Sequence, residues 1–193
     1  KKIFKLNFFI DAPSDEDYLQ FSEVIGHLVN NKYKNQIVYS IISQPPVDCR
    51  IVTEAFYFDT ALWNPVFVEE SGGRGMFFKC GGTEVLIGTV QVDSQDFCRE
   101  NAHEAMVCLG LMLEKVRLPV NSIVRQWNYI ENILGTDNGN QRYQEYNNVR
   151  SAFYSNHFDN SGYPAATGIG MTRGGVIIEF IAVSPEAAIC MPL

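Results

Sequence analysis

A stripe of apolar residues at helical spacing is the feature that most constrains how this chain folds. The stripe advances in alternating steps of four and three and consists of Cys98, Ala102, Ala105, Leu109, Met112 and Val116. Such spacing places all six side chains on one face of an α-helix, and that face must be buried against another element. Because the flanking segments are rich in β-branched and aromatic residues, the partner is expected to be a β-sheet.

The second part of the chain, from Met76 onward, predicts the element order ββαβαββ. Ser94 is expected to cap the first helix, Pro119 to end it, and a second helix is expected over 141–157, with aromatic residues near one face. The strands are expected over 76–80, 85–92, 123–129, 164–171 and 176–183. This order predicts an α+β fold, a mixed β-sheet with two helices packed on one face.

The first part of the chain reads as a short α/β segment. Phe4, Leu6 and Phe8 alternate with polar residues as in a strand, Ser14 begins a helix, and the runs 37–42 and 50–58 favour strands. Residues 64–75 contain Gly72-Gly73-Arg74-Gly75 and are expected to form a loop. We therefore predict two parts, a strand–helix–strand segment over 1–75 and a domain over 76–193.

Composition narrows the classes of function. A formal net charge of −7 argues against a nucleic-acid-binding protein, which normally carries a basic face. The five cysteines show no CxxC spacing, which argues against a metal site or a disulfide framework and favours a cytoplasmic location. No apolar run is long enough to cross a bilayer, so no membrane partner is expected. The chain opens with Lys1-Lys2, which suggests part of a longer protein.

Two segments near the end of the chain carry a resemblance. Residues 164–167 read PAAT and residues 176–179 read VIIE. Together with the order ββαβαββ, they resemble the YjgF/RidA superfamily, also described as endoribonuclease L-PSP-like. The resemblance implies a YjgF-like (chorismate mutase-like) sheet, a homotrimer and a ligand site between subunits. Residues 1–75 are then expected to be either a reduced domain of the same kind or part of a longer one.

Three further segments resemble the chorismatase branch of that superfamily. They are RQWNYIENI at 125–133, RYQEYNNVR at 142–150 and YPAATGIG at 163–170. Chorismatases are lyases or hydrolases that remove or rearrange the enolpyruvyl group of chorismate. The resemblance implies a small anionic cyclic carboxylate as ligand, with no organic cofactor and no metal.

Glu179 and Arg150 are the principal site candidates. Glu179 lies among apolar residues of the last strand, where burial favours the protonated carboxyl that a general acid needs, and the resemblance implies that it protonates the enolpyruvyl methylene. Arg150 shares a helical stripe with aromatic residues and matches a carboxylate-binding arginine of the family. The structural alternatives are an ion pair of Glu179 with an arginine at a subunit interface, and an ion pair of Arg150 with Glu145 or Glu179.

Five more residues are candidates for substrate binding. Arg125, Trp127 and Tyr129 have the same parity on one strand and project from one face; Trp127 taken alone is more typical of a core. Thr167 belongs to the PAAT segment. Gly88 interrupts a strand, which indicates either close approach of a ligand or a β-bulge.

Three functions remain open. The first hypothesis is a chorismatase-like enzyme, and the second is a catalytically silent YjgF-like module that binds a metabolite or a partner. The third is a RidA-type deaminase of enamines or imines. It is the least favoured, because Ala166 stands where that branch has the arginine of its "PART" signature and Ile177 replaces the first glutamate of "VEIE".

Overall fold

The computed structural model describes residues 1–94, 96–158 and 162–184. The first part holds β1 (Lys2–Ile10), α1 (Asp15–Tyr33), β2 (Val38–Ile42) and β3 (Ile51–Phe58). After it come β4 (Val66–Glu70), β5 (Gly73–Cys80), β6 (Thr83–Val92), α2 (Cys98–Lys115) and β7 (Ile123–Glu131). The last elements are β8 (Thr136–Asp137), β9 (Asn140–Gln141), α3 (Arg142–Tyr154), β10 (Ala165–Met171) and β11 (Val176–Val183).

A mixed six-stranded sheet forms the centre of the molecule, in the order β10-β7-β11-β6-β5-β4. Strands β10 and β7 run parallel, and every other neighbouring pair is antiparallel. Helices α2 and α3 cover one face of this sheet, and the main core cluster lies between the sheet and these two helices. The predicted α+β fold with two helices on one face is therefore confirmed. The order from β5 to β11 is ββαβαββ with one addition, the short two-stranded sheet of β8 and β9 before α3.

The apolar stripe of α2 packs as its spacing predicts. Cys98, Ala102, Ala105, Leu109 and Met112 are fully buried against the sheet. Ser94, however, does not cap this helix, which begins at Cys98 with Phe97 as its N-cap residue. The Oδ2 atom of Asp137 accepts a hydrogen bond from the Cys98 backbone N–H at 2.8 Å. The acceptor at the beginning of α2 is therefore Asp137 of β8, whereas the sequence predicted Ser94.

The opposite face of the six-stranded sheet is covered by the first part of the chain. A second sheet in the order β2-β1-β3 packs there, and α1 lies on its outer side. Two apolar clusters fill the space between the sheets, one around Phe4 and Phe78 and the other around Ile42 and Tyr129. Four layers result, with the two sheets in the middle.

The expected loop over 64–75 is wrong, because Val66–Glu70 forms edge strand β4 and hydrogen-bonds along β5. Burial explains this difference: Val68 is 6% exposed and contributes to the core beneath α2. The division at residue 75 stays a prediction. As predicted, Ser14 begins α1, and its hydroxyl accepts a hydrogen bond from the Asp17 N–H.

Candidate functional site

Five of the seven predicted site residues share one face of the six-stranded sheet. In the strand register, Trp127 on β7 lies opposite Glu179 on β11 and opposite Thr167 on β10. Arg125 and Tyr129 are two residues either side of Trp127 and therefore point the same way. This face, which we call the site face, is the one that turns away from α2 and α3.

Glu179 is the most enclosed of these residues, with 3% of its surface exposed. The Lys5 ammonium lies 2.7 Å from its Oε2 atom, and the Asn7 amide donates to the same oxygen at 3.3 Å. The Ser40 hydroxyl donates to Oε1 at 2.6 Å and also lies 2.9 Å from the Thr89 hydroxyl. The carboxylate is therefore held by groups on two strands of the second sheet, β1 and β2.

Lys5, Asn7 and Ser40 were not predicted as site residues. Lys5 and Asn7 alternate with apolar residues on β1, a pattern typical of a strand with one side in solvent. Because β1 is the central strand of the second sheet and lies between two layers, both of its faces are buried. The sequence feature that could have predicted this contact is a lysine in the middle of a mostly apolar strand, since a buried lysine requires a carboxylate partner.

Tyr129 extends this buried polar group along β7. Its side chain is 5% exposed, and burial raises the pKa of the phenol. The negative charges of Glu179 and Glu54 raise that pKa further. Glu54 on β3 also accepts a hydrogen bond from the Asn7 amide at 3.2 Å. Tyr129 is thus a protonated phenol near neutral pH, beside two carboxylates.

Arg125, Trp127 and Thr167 form a second group on the site face, which we call the arginine group. The Arg125 guanidinium stacks over the Trp127 ring at 4.7 Å from its centroid, and its Nη2 atom donates to the Thr167 hydroxyl at 2.6 Å. Thr167 is exposed and Arg125 and Trp127 are half-buried, so the group can be reached from solvent. Within the described ranges, Arg125 forms no ion pair with a carboxylate.

Arg150 lies on the other side of the sheet. It is on α3 between Tyr146 and Tyr154, whose hydroxyls donate to Asn128 at 2.7 Å and to Gln126 at 2.9 Å. Burial raises the pKa of both tyrosines, and the positive charge of Arg150 opposes this effect. Arg150 and Glu179 therefore do not meet within one chain, because the sheet separates them.

Neither ion pair proposed as an alternative for Arg150 is found. Glu145 pairs with Arg99 at 2.9 Å, and Glu179 pairs with Lys5. The Arg150 Nε atom is buried and has no hydrogen-bond partner in the part of the chain that is described. Within this chain the partner of Glu179 is Lys5, a lysine of β1.

Gly88 also faces the helices, and packing accounts for it. It lies opposite Phe180 in the register, and a Cβ atom at this position would approach the Phe180 ring to 2.7 Å. The glycine makes room for an aromatic side chain of the main core, and neither a bulge nor a ligand is needed to explain it.

Two cavities lie elsewhere on the surface. One, of about 640 Å³, is a groove between α2 and α3 with Met106, Val149 and Phe153 in its lining. The other, of about 250 Å³, lies beside Phe58 and Trp63, near the start of β1. Neither cavity is lined by Glu179 or Arg150. Among the described residues, no group of three His, Cys, Asp or Glu side chains is placed to hold a metal ion.

Comparison with known families identifies the chain. The family described as chorismatase FkbO/Hyg5-like, N-terminal, matches residues 63–182. The chain belongs to this family. The match begins before Met76 and includes β4, and its description refers to the N-terminal part of chorismatases. Comparison with curated proteins found no match.

Solved structures are similar at the level of the fold. A chorismatase crystal structure aligns with a TM-score of 0.66 and 17% identity, over 94% of this chain and 48% of its own. The chain thus spans about half the length of that chorismatase. The YjgF gene product of E. coli aligns with a TM-score of 0.44 and 19% identity, over 55% of this chain and 84% of its own. Rv2704 of Mycobacterium tuberculosis, from the YjgF/YER057c/UK114 family, aligns with a TM-score of 0.42 and 19% identity, over 55% of this chain and 82% of its own.

No helix in the described ranges is long and apolar enough to span a membrane.

Proposed function

We propose that this protein binds a small anionic cyclic carboxylate at the arginine group, as a ligand-binding member of the chorismatase-like family. The observation that carries the proposal is the set of contacts made by Arg125. Its guanidinium is held by Thr167 and Trp127 and has no carboxylate partner among the described residues. A guanidinium fixed in this way presents its remaining N–H groups as a fork, which suits a bidentate carboxylate.

Local charge supports an anion at this position. The chain as a whole carries a net charge of −7, so an anion is attracted only where a cation is left uncompensated. Lys5 is neutralised by Glu179 at 2.7 Å and is 4% exposed, and Arg74, which shares this face, is paired with Glu69 at 3.3 Å. Among the described residues, Arg125 is therefore the cation of the site face that has no acidic partner. The Trp127 ring is half-buried and supports the guanidinium, and its exposed part adds apolar surface beside the bound carboxylate for the ring of the ligand.

Hydrolysis of chorismate is the second candidate, and the position of Glu179 favours it. The carboxyl lies directly opposite Trp127 in the register, next to the arginine group. A general acid must carry a proton and contact its substrate. Because Lys5, Asn7 and Ser40 occupy both carboxylate oxygens, Glu179 can act only if the second sheet moves away, and the binding function therefore ranks first.

Deamination of imines ranks third. Ala166 pairs with Gln126 and so faces the helices, away from the site face. The clamp which that chemistry requires is missing at this position. Turnover of an aminoacrylate-type imine by the wild-type protein would revive the deaminase hypothesis.

Titration calorimetry with chorismate as the probe tests the binding proposal. We expect the wild type to bind and Arg125→Ala to weaken the affinity at least about tenfold, since a hydrogen bond to a charged group contributes roughly 1.5–3 kcal/mol. Arg99→Ala is the matched control, because Arg99 is an exposed arginine on α2, on the opposite side of the sheet; its affinity should equal that of the wild type. Equal affinity of wild type and Arg125→Ala would contradict the proposal.

An assay of pyruvate release separates binding from hydrolysis. The binding function predicts that chorismate is bound and recovered intact. Pyruvate release by the wild type, lost in a folded Glu179→Gln variant, would instead establish the second candidate. The homotrimer implied by the resemblance stays a prediction. Much of the site face, which could form a subunit interface, is already covered by the second sheet of the same chain.

A further inference from the structure

The outer edge of β3 is the longest apolar strand edge left unpaired by the second sheet. That sheet has the order β2-β1-β3, so β3 is hydrogen-bonded on one side only within the described residues. The strand is eight residues long, and Ile51, Val52 and Tyr57 are 41%, 43% and 56% exposed.

The register shows which backbone groups of β3 are free. The Asp11 N–H donates to the Arg50 carbonyl at 2.9 Å, so Arg50 and Asp11 form a hydrogen-bonded pair. In an antiparallel ladder such pairs alternate with non-hydrogen-bonded ones. The backbone N–H and C=O groups of Ile51, Thr53, Ala55 and Tyr57 therefore point away from β1, as a ready template for another strand.

Natural proteins usually protect such an edge with charges, proline or a bulge. Here β3 has the sequence IVTEAFYF, with Glu54 as its one charged residue and no proline. The Glu54 residue is exposed, and its carboxylate is oriented by a hydrogen bond from the Asn7 amide at 3.2 Å, so a single charge lies along this edge. The register shift between β1 and β3 lies on the β1 strand, between Ile3 and Lys5, so β3 itself continues without interruption.

We propose that two copies of this chain pair antiparallel through β3 and join their three-stranded sheets into one sheet of six strands. A strand that fits this edge must be extended, largely apolar and equally in need of partners. The β3 strand of a second copy has these properties, and one contact would satisfy both edges.

Charge selects the register of this pairing. Residues whose backbone N–H and C=O groups point away from β1 must lie opposite one another in the two copies. Two positions of the two-fold axis meet this condition and still overlap most of the strand, one through Glu54 and one through Ala55. An axis through Glu54 places two carboxylates directly opposite each other, which is unfavourable. An axis through Ala55 places Thr53 opposite Tyr57 of the partner subunit and Val52 opposite Phe58 of the partner subunit, and the structure therefore favours Ala55.

Removal of one outward-facing N–H tests the interface. Proline is tolerated on an edge strand where its nitrogen faces outward, so Thr53→Pro should leave the β1–β3 ladder intact and block a second strand. We expect the wild type to sediment with twice the mass of Thr53→Pro, which is 21.8 kDa when β3 forms the only interface between copies. A wild type that stays monomeric at every concentration, or a Thr53→Pro variant of unchanged mass, would overturn the inference.

Cysteine cross-linking tests the register without disturbing the backbone. In a Cys49→Ser background, which removes an exposed thiol, Ala55→Cys should oxidise to a covalent dimer, because facing Cα atoms of a hydrogen-bonded pair lie about 5.5 Å apart, within the range of disulfides. Thr53→Cys is the matched control, since the rise of a strand separates its two copies by roughly 13 Å. Efficient cross-linking through Thr53→Cys but not through Ala55→Cys would overturn the proposed axis.

Discussion

At the scale of single residues, the Lys5–Glu179 pair is the most consequential contact between the two sheets. Both side chains are at most 5% exposed and their charged atoms are 2.7 Å apart. Removal of one partner leaves the other charge buried without compensation, which typically costs 3–5 kcal/mol. We expect Lys5→Met and Glu179→Gln each to lower the free energy of unfolding by about 3 kcal/mol or more in urea titrations.

A double variant identifies the origin of that loss. Lys5→Met combined with Glu179→Gln should lose less than the sum of the single variants, because no unpaired charge remains. The exposed pair Lys79–Glu84 provides the control, and Lys79→Met should cost at most about 1 kcal/mol. Additive losses in the double variant would show that the two residues stabilise the protein independently.

Residue patterns predicted the site only in part, and for a physical reason. Parity along β7 placed Arg125, Trp127 and Tyr129 on one face correctly. The sequence could not place Arg150 relative to Glu179, because the side of the sheet on which a helix packs is set by tertiary structure. It also gave no spacing signal that links Lys5 to Glu179, which are 174 positions apart in the sequence, since such contacts arise from the stacking of layers.

At the scale of elements, glycines control how closely helices and side chains approach the sheet. Gly168 on β10 faces α3, where a Cβ atom would lie 2.6 Å from the Tyr143 ring. We expect Gly168→Ala to destabilise the protein by about 1–3 kcal/mol, because the ring must shift within a packed core. Chemical denaturation measures the change.

Gly110 provides the opposite case within α2. Its Cβ would meet the Phe153 ring at 3.6 Å, an ordinary contact, so Gly110→Ala adds helix propensity without overpacking. This variant should stabilise the protein by about 0.5–1 kcal/mol. Stabilisation by both variants would contradict the close contact between Gly168 and Tyr143, and destabilisation by both would contradict the free space at Gly110.

Element types were predicted more reliably than their ends. Helix α2 and strand β11 follow from apolar periodicity, which reports burial directly. The beginning of α2 was misplaced because its first N–H bonds to Asp137 in another part of the chain. Strand β4 was missed because glycines suggested a loop, whereas pairing with β5 and burial of Val68 override local preference.

At the scale of the whole molecule, the layered core makes stability sensitive to alkaline pH. Burial raises the pKa of the Cys98 thiol from 9.0 to about 11, and it raises the pKa of the phenols of Tyr18, Tyr129, Tyr146 and Tyr154 above 10.0. In the unfolded chain these groups lose their protons at ordinary values. At a pH between the ordinary pKa of such a group and its raised pKa in the folded protein, the unfolded state binds fewer protons than the native state. The free energy of unfolding therefore falls as pH rises.

We therefore expect the urea midpoint to be stable up to a pH of about 9, to decline above it as the unfolded thiol ionises, and to decline more steeply above about 10, where the unfolded phenols ionise. Absorbance of tyrosinate checks the assignment, because the four buried tyrosines should ionise together with unfolding and the exposed ones before it. Tyr154→Phe removes one of the four phenols and should make the decline shallower. A midpoint that holds through this range, or buried phenols that ionise in the folded protein, would contradict a dry core between the layers.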